Sequence, residues 1–164
     1  MAKKNRIKKI LVEQILDKAK IPYESVVFEG GMKRDDSELA AYGLTEHDIY
    51  KTLALIGNVT GPVIGIVPID EHLDEKKLAA VSGNKKVNMI PTKDLQKTTG
   101  YVHGANNPVG IWQTKKFPIY FDLTAQQAGT ITLSAGEIGR SITVDVQLLA
   151  EFVHGQFADI KTDQ

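Results

Sequence analysis

The sequence predicts an α+β fold built on an antiparallel or mixed sheet. Two observations carry this. Helical and strand patterns are interspersed, yet no regular strand–helix–strand crossover units occur. Several consecutive strand segments are joined by links too short for a parallel crossover. The length, 164 residues, suits one domain spanning 1–164. A chain of this size buries roughly 70% of its unfolded surface, so it needs no disulfide or metal staple.

The elements follow in order. Arg6 to Ala19 reads as an amphipathic helix, with Ile7, Ile10, Leu11, Gln14, Ile15 and Ala19 at the helical period and lysines opposite. Ile21-Pro22 stops it, and Tyr23 to Glu29 is a strand closed by Gly30-Gly31. Asp36 or Ser37 caps a short helix through Ala41, which Gly43 ends; Thr45 caps the turn Glu46-His47-Asp48. Ile49 to Ile56 and Val63 to Val67 form a hairpin about the turn Gly57 to Gly61. Leu73 to Val81 is a helix started by Asp74 and closed by Gly83, and Val87 to Ile90 is a short strand. Pro91 and Asp94 open a helix to Thr98. Gly100 to Gly110 reads as irregular. Ile119 to Phe121, Thr130 to Leu133 and Ile142 to Val144 are strands, and Val146 to Val153 is a closing helix.

Composition excludes several classes of function. There is no cysteine, which removes thiolate nucleophiles, disulfide frameworks and cysteine-rich zinc sites. The four histidines, His47, His72, His103 and His154, show no metal-binding spacing, so neither a metal nor a cofactor is expected. The acidic run Asp70 to Glu75 lacks the turn glycine of a calcium loop and reads as a helix start. No G-x-S-x-G, H-E-x-x-H or phosphate-binding glycine loop is present. The apolar run Pro62 to Val67 falls far short of the ~20 residues of a membrane span. The N-terminus has no signal-peptide pattern, which predicts a cytoplasmic protein without a membrane partner.

Twenty basic and twenty acidic side chains give a net charge of zero, which argues against coating nucleic acid by bulk charge. The charges are unevenly spread. Residues 1–20 hold seven bases and two acids, and residues 85–120 hold six bases (Lys85, Lys86, Lys93, Lys97, Lys115, Lys116) and one acid. Residues 24–48 hold seven acids against two bases. Such clusters make either a face that steers a polyanion or an ordinary solvated surface.

Two features stand apart. In the strand Ile49 to Ile56, alternation puts Lys51 on one face with Ile49, Leu53 and Leu55. An ammonium there either serves chemistry or snorkels to water at the strand end. The stretch Thr99-Gly100-Tyr101-Val102-His103-Gly104-Ala105-Asn106-Asn107-Pro108-Val109-Gly110 forms a loop that is either a plain connection or a set of exposed N–H groups for an anion or oxyanion.

The pairing of Ile49-Tyr50-Lys51-Thr52-Leu53 with Thr99-Gly100-Tyr101, Gly104, Pro108 and Gly110 resembles the YbaK/EbsC family of free-standing aminoacyl-tRNA deacylases. Val67-Pro68, Leu73 to Ala79, Phe117-Pro118 through Asp122, Ser134-Ala135-Gly136 and Phe157 to Ile160 fall in the same order. The resemblance implies a barrel-like, mixed and largely antiparallel sheet ringed by helices, with one pocket. It implies removal of a wrongly attached amino acid, typically cysteine, from tRNA for proline, a task that arises because a proline pocket cannot reject a side chain of similar size by binding alone. It implies catalytic roles for Lys51 and Asp122, and a substrate site at Phe28, Tyr101, Gly104, Ala105, Asn106, Asn107, Pro108 and Gly110. Its partners would be the 3′ end of an aminoacylated tRNA, held by the lysines of residues 85–120, and prolyl-tRNA synthetase. For cysteinyl substrates the substrate's own thiol would serve as nucleophile; the alternatives are deacylation of another small residue, as in Ala-tRNA(Pro), and a non-catalytic domain that binds tRNA or a synthetase. Three departures bear on substrate choice: Ala105 replaces a glycine and Asn107 a serine, Phe28 replaces a frequent tyrosine, and two extra residues lie around Trp112.

Overall fold

The structure, a computed structural model, describes residues 8–163. Lys3, Lys4 and Arg6 of the basic N-terminal cluster, and Ile7 of the expected helix face, lie outside the described residues. The first helix, α1 (Leu11–Lys18), is shorter than its pattern and rotated from it. Val12, Glu13 and Leu16 are its buried residues, whereas Leu11 is 60% exposed and Gln14 is exposed. The rotation has a cause in chemistry. Glu13 turns inward to accept hydrogen bonds from Arg140 Nη2 at 3.1 Å and Ser25 Oγ at 2.6 Å.

The chain continues through β1 (Tyr23–Val27), α2 (Asp36–Ala40), β2 (Ile49–Gly57), β3 (Gly61–Pro68), α3 (Glu75–Ser82), β4 (Val87–Met89) and α4 (Thr92–Thr99). After these come α5 (Pro108–Lys115), β5 (Ile119–Asp122), α6 (Leu123–Ala128), β6 (Thr130–Glu137), β7 (Arg140–Asp145), α7 (Val146–Phe152) and β8 (Gln156–Ala158). The strands form one curled sheet in the order β1-β7-β6-β2-β3-β5-β8, with β4 attached to β2 beside that path. Among the described residues four strand pairs are antiparallel and three are parallel, so the sheet is mixed. The architecture is α+β, and the barrel-like mixed sheet that the resemblance implies is a curled half-barrel flanked by helices.

The expected hairpin is β2 and β3, paired from Tyr50↔Pro68 to Gly57↔Gly61, with Gly61 at φ +73° to close the turn. Alternation along β2 sorts its side chains. Tyr50 and Ala54 join the main core, while Leu53 and Leu55 pack with Val63, Val67, Leu78 and Ile160 on the other face. α3 starts at Asp74, whose side chain accepts from Lys77 N–H, and ends at left-handed Gly83.

Three segments differ from expectation. The irregular Gly100 to Gly110 gives way to α5, because Asn107 Oδ1 accepts from Gly110 N–H at 2.6 Å and Pro108 occupies the first helical position. α6 and β8 were not expected: both are short and carry too few apolar residues for a period to show. Both are held by one buried carboxylate. Asp122 Oδ2 accepts from Thr124 N–H and Oδ1 from Ile160 N–H, each at 3.0 Å. Lys77 fastens the same end of the chain, reaching Asp159 at 3.0 Å and Asp163 at 2.5 Å.

Candidate active site

The site begins as a gap in the sheet. The ladder of β2 with β6 stops at Tyr50, and that of β2 with β4 starts only at Leu55. Ile90 N–H donates to Ala54 O at 3.2 Å, so the even-numbered residues of β2 present their main-chain groups to this edge. Between the two ladders the strand has a neighbour on one side only. A cavity of about 340 Å³ opens there, and a second of about 330 Å³ adjoins it. The two share Thr52, Leu53, His103 and Asn106.

Lys51 lines the first cavity, partly buried, on the face where alternation places it. Burial pulls its pKa below the ordinary lysine value, and the charge of Asp70 partly opposes that shift. Tyr50 lines the cavity from the other face; its hydroxyl donates to Thr124 Oγ1 at 3.0 Å, and burial raises its pKa. Phe28 forms a wall, buried among Val26, Leu39 and Ile49, with the Arg34 guanidinium 5.2 Å above its ring. Ser134, Arg140 and Ser141 close the far side. A bulge between Ser134 and Glu137 bends β6 at this point.

Three buried polar atoms lack a hydrogen-bond partner among the described residues: Thr52 Oγ1, Asn106 Oδ1 and Arg140 Nε. All three belong to residues that line the first cavity. Buried polar atoms are ordinarily paired, so three orphans around one cavity mark a place where a ligand or water completes the bonding.

The candidates from sequence divide into two groups. Phe28, Lys51, Gly104 and Asn106 line the first cavity. Tyr101, Ala105, Asn107, Pro108 and Gly110 line neither cavity; they build the turn and the start of α5 behind it. Asn107 caps α5, Ala105 N–H is committed to Val102 O at 3.0 Å, and Tyr101 fills the space that Gly110 leaves open. Asp122 is 1% exposed and also lines neither cavity; its hydrogen-bonded link to the site runs through Thr124, the partner of Tyr50. Lys85, Lys86, Lys93, Lys97, Lys115 and Lys116 are exposed. Lys93 follows Thr92 at the rim of the second cavity, Lys97 pairs with Asp94 at 3.1 Å, and Lys116 lies 5.0 Å from the Trp112 ring centre. Arg34, Thr52 and Arg140 were missed. None has a local pattern that distinguishes it, because the fold brings them together from distant segments. Among the described residues no group of acidic or histidine side chains could hold a metal, and no helix is long and apolar enough to cross a membrane.

The Tyr101 packing yields a direct expectation. A Cβ on Gly110 would overlap the Tyr101 hydroxyl and ring, and the neighbouring backbone belongs to α5. Gly110→Ala should therefore destabilise the protein by roughly 1–3 kcal/mol, measured by urea unfolding. An unchanged midpoint would show that Tyr101 moves aside freely.

Among the described residues, Lys51 is the one lysine that lines the first cavity, at the gap in the half-barrel sheet. The model of the aminoacyl-tRNA editing domain matches residues 35–152, and the chain belongs to that family. It is 39% identical over 166 residues, and over the whole of both chains, to an Enterococcus faecalis protein named provisionally as the Cys-tRNA(Pro)/Cys-tRNA(Cys) deacylase EbsC. Among solved structures, one described provisionally as a trans-editing enzyme for prolyl tRNA synthetase superimposes with a TM-score of 0.78 at 20% identity, covering 93% of this chain and 95% of the other. The hypothetical protein APE2540 superimposes with a TM-score of 0.80 at 20% identity, covering 92% and 99%. These two likenesses concern the fold. The family's reaction is deacylation of aminoacyl-tRNA, and this chain is an enzyme of that class.

Proposed function

We propose that the protein is a trans-editing deacylase that clears cysteine from Cys-tRNA(Pro), and from Cys-tRNA(Cys), acting as one unit over residues 1–164. The observation that carries this is Lys51, a half-buried ammonium in a cavity where no hydroxyl is hydrogen-bonded to a histidine among the described residues. The site stabilises charge but holds no activated serine or threonine. A substrate that brings its own nucleophile fits this composition. The cysteine thiol attacks its own ester carbonyl, the bond to the ribose oxygen breaks, and a thiolactone leaves. The thiol proton ends on the freed ribose hydroxyl.

In this reading Lys51 orients the ribose or its phosphate and stabilises the oxyanion. Gly104 and Asn106 offer the remaining loop N–H groups, since that of Ala105 is already used. Phe28 and Asn106 shape the amino-acid pocket, with the Asn107 and Tyr101 framework behind them. Asp122 is a positioning residue that acts through Thr124 and Tyr50. The exposed lysines from Lys85 to Lys116 hold the phosphate backbone. Prolyl-tRNA synthetase would supply the mischarged tRNA, in the cytoplasm.

The test is ester loss from Cys-tRNA(Pro), Ala-tRNA(Pro) and Pro-tRNA(Pro) with purified protein. Cysteine should be lost fastest, and a Lys93→Glu, Lys97→Glu variant should require more substrate for the same rate. Faster loss of alanine would reassign the substrate. If no ester is lost faster than in buffer, the protein is a binding domain and the deacylase reading falls.

A further inference from the structure

We infer that the gap beside Thr52 reads an adenine ring, the terminal base of the tRNA, through the main chain of β2. The identity of the ligand rests on the deacylase reading; the site rests on the structure. Thr52 is the even-numbered residue left between the β6 and β4 ladders, so its N–H and C=O face the gap with no strand opposite among the described residues. A strand edge of this kind presents a donor and an acceptor side by side. Adenine carries the complementary pair, a ring-nitrogen acceptor next to its amino donor. A main-chain reader of this type leaves no trace in side-chain identity.

The surroundings suit a flat base. Leu53, Ala54, Ile90 and Leu95 give the second cavity apolar walls, and its volume of about 330 Å³ accommodates a nucleoside. Asn106 stands at the junction, only 5% exposed, and its Oδ1 has no partner among the described residues. That acceptor would take the second hydrogen of the adenine amino group. The linear order of the substrate also matches. With the base in the second cavity, the ribose lies at the shared wall of Thr52, Leu53, His103 and Asn106, and the ester enters the first cavity beside Lys51.

Purine riboside keeps the ring but lacks the amino donor, so it separates main-chain reading from simple packing. Two measurements test the inference. The first titrates free adenosine and purine riboside into ¹⁵N-labelled protein. Adenosine should shift the Thr52 amide, and purine riboside should bind roughly tenfold more weakly or worse, because its ring covers the Thr52 carbonyl without pairing it. Equal binding, or a Thr52 amide that does not move, overturns the inference. The second compares cysteine ester loss from tRNA ending in adenosine and in purine riboside. A matching tenfold loss of kcat/KM supports it. Equal cleavage of both removes adenine reading and leaves the deacylase standing. Selective adenosine binding with no ester loss from any tRNA does the reverse.

Discussion

Replacing Lys51 with alanine lowers cysteine ester cleavage by at least about 100-fold, the scale of losing a preorganised charge at a developing oxyanion. The protein stays folded, because Lys51 makes no ion pair that its removal would strand among the described residues. Lys51→Met sharpens the point. Burial depresses the lysine pKa in the folded state, so the unfolded chain holds this proton more tightly. Stability therefore rises with pH between the folded pKa and the ordinary lysine value, and at neutral pH the charged lysine is a cost. The methionine variant should melt no lower than the parent while its activity is lost. Activity follows the opposite course with pH. The charged form that serves the reaction is present below the Lys51 pKa and disappears as pH rises through it, earlier than for an exposed lysine. Single-turnover rates against pH, alongside thermal melts, test both. Full turnover in Lys51→Ala removes this residue from the mechanism.

Glu13→Ala should destabilise the protein by about 3–5 kcal/mol, a large share of the 5–15 kcal/mol typical of a domain. Glu13 is 1% exposed and receives Arg140 Nη2, Ser25 Oγ and the N–H of Ile10 at 3.2 Å. Its loss leaves the Arg140 guanidinium buried and uncompensated. The loss should reach the cavity as well, since Arg140 and the adjoining Ser141 form its wall. Exchanging both partners for apolar residues, Glu13→Leu with Arg140→Met, should recover most of the stability, because neither charge then remains to be solvated. Urea unfolding of the two single variants and the double variant gives the coupling directly. If the double variant is no more stable than Glu13→Ala, the pair does not act as a unit.

The legible parts of this molecule are those decided within a few residues. β2 and β3 could be read from alternation and the glycines between them. Lys51 stood out because an ammonium among Ile49, Leu53 and Leu55 conflicts with its strand. Asn107 was visible as a departure from a family motif, but its action as a helix cap was hidden by the glycines and proline around it. The Glu13–Arg140 pair, 127 residues apart, left no local sign, and Glu13 rotated α1 away from the face its aliphatic residues suggested. The sheet gap was illegible for a related reason. It exists because two strands from different parts of the chain each cover one end of β2 and neither covers its middle.

The chain's far end has a consequence for how the protein is made. β1 pairs with β7, and Asp122 waits for the N–H of Ile160 to complete its bonding. The β5–β8 ladder and the Lys77 contacts close over the same final segment. A ribosome that still holds residues 140–160 in its tunnel therefore holds back the partner of the first strand and the lock on α6. The half-barrel cannot close from its N-terminus as it emerges. Closure must wait until residues 140–160 have emerged, and a nascent chain carrying β2 and β3 alone would expose their apolar faces until then.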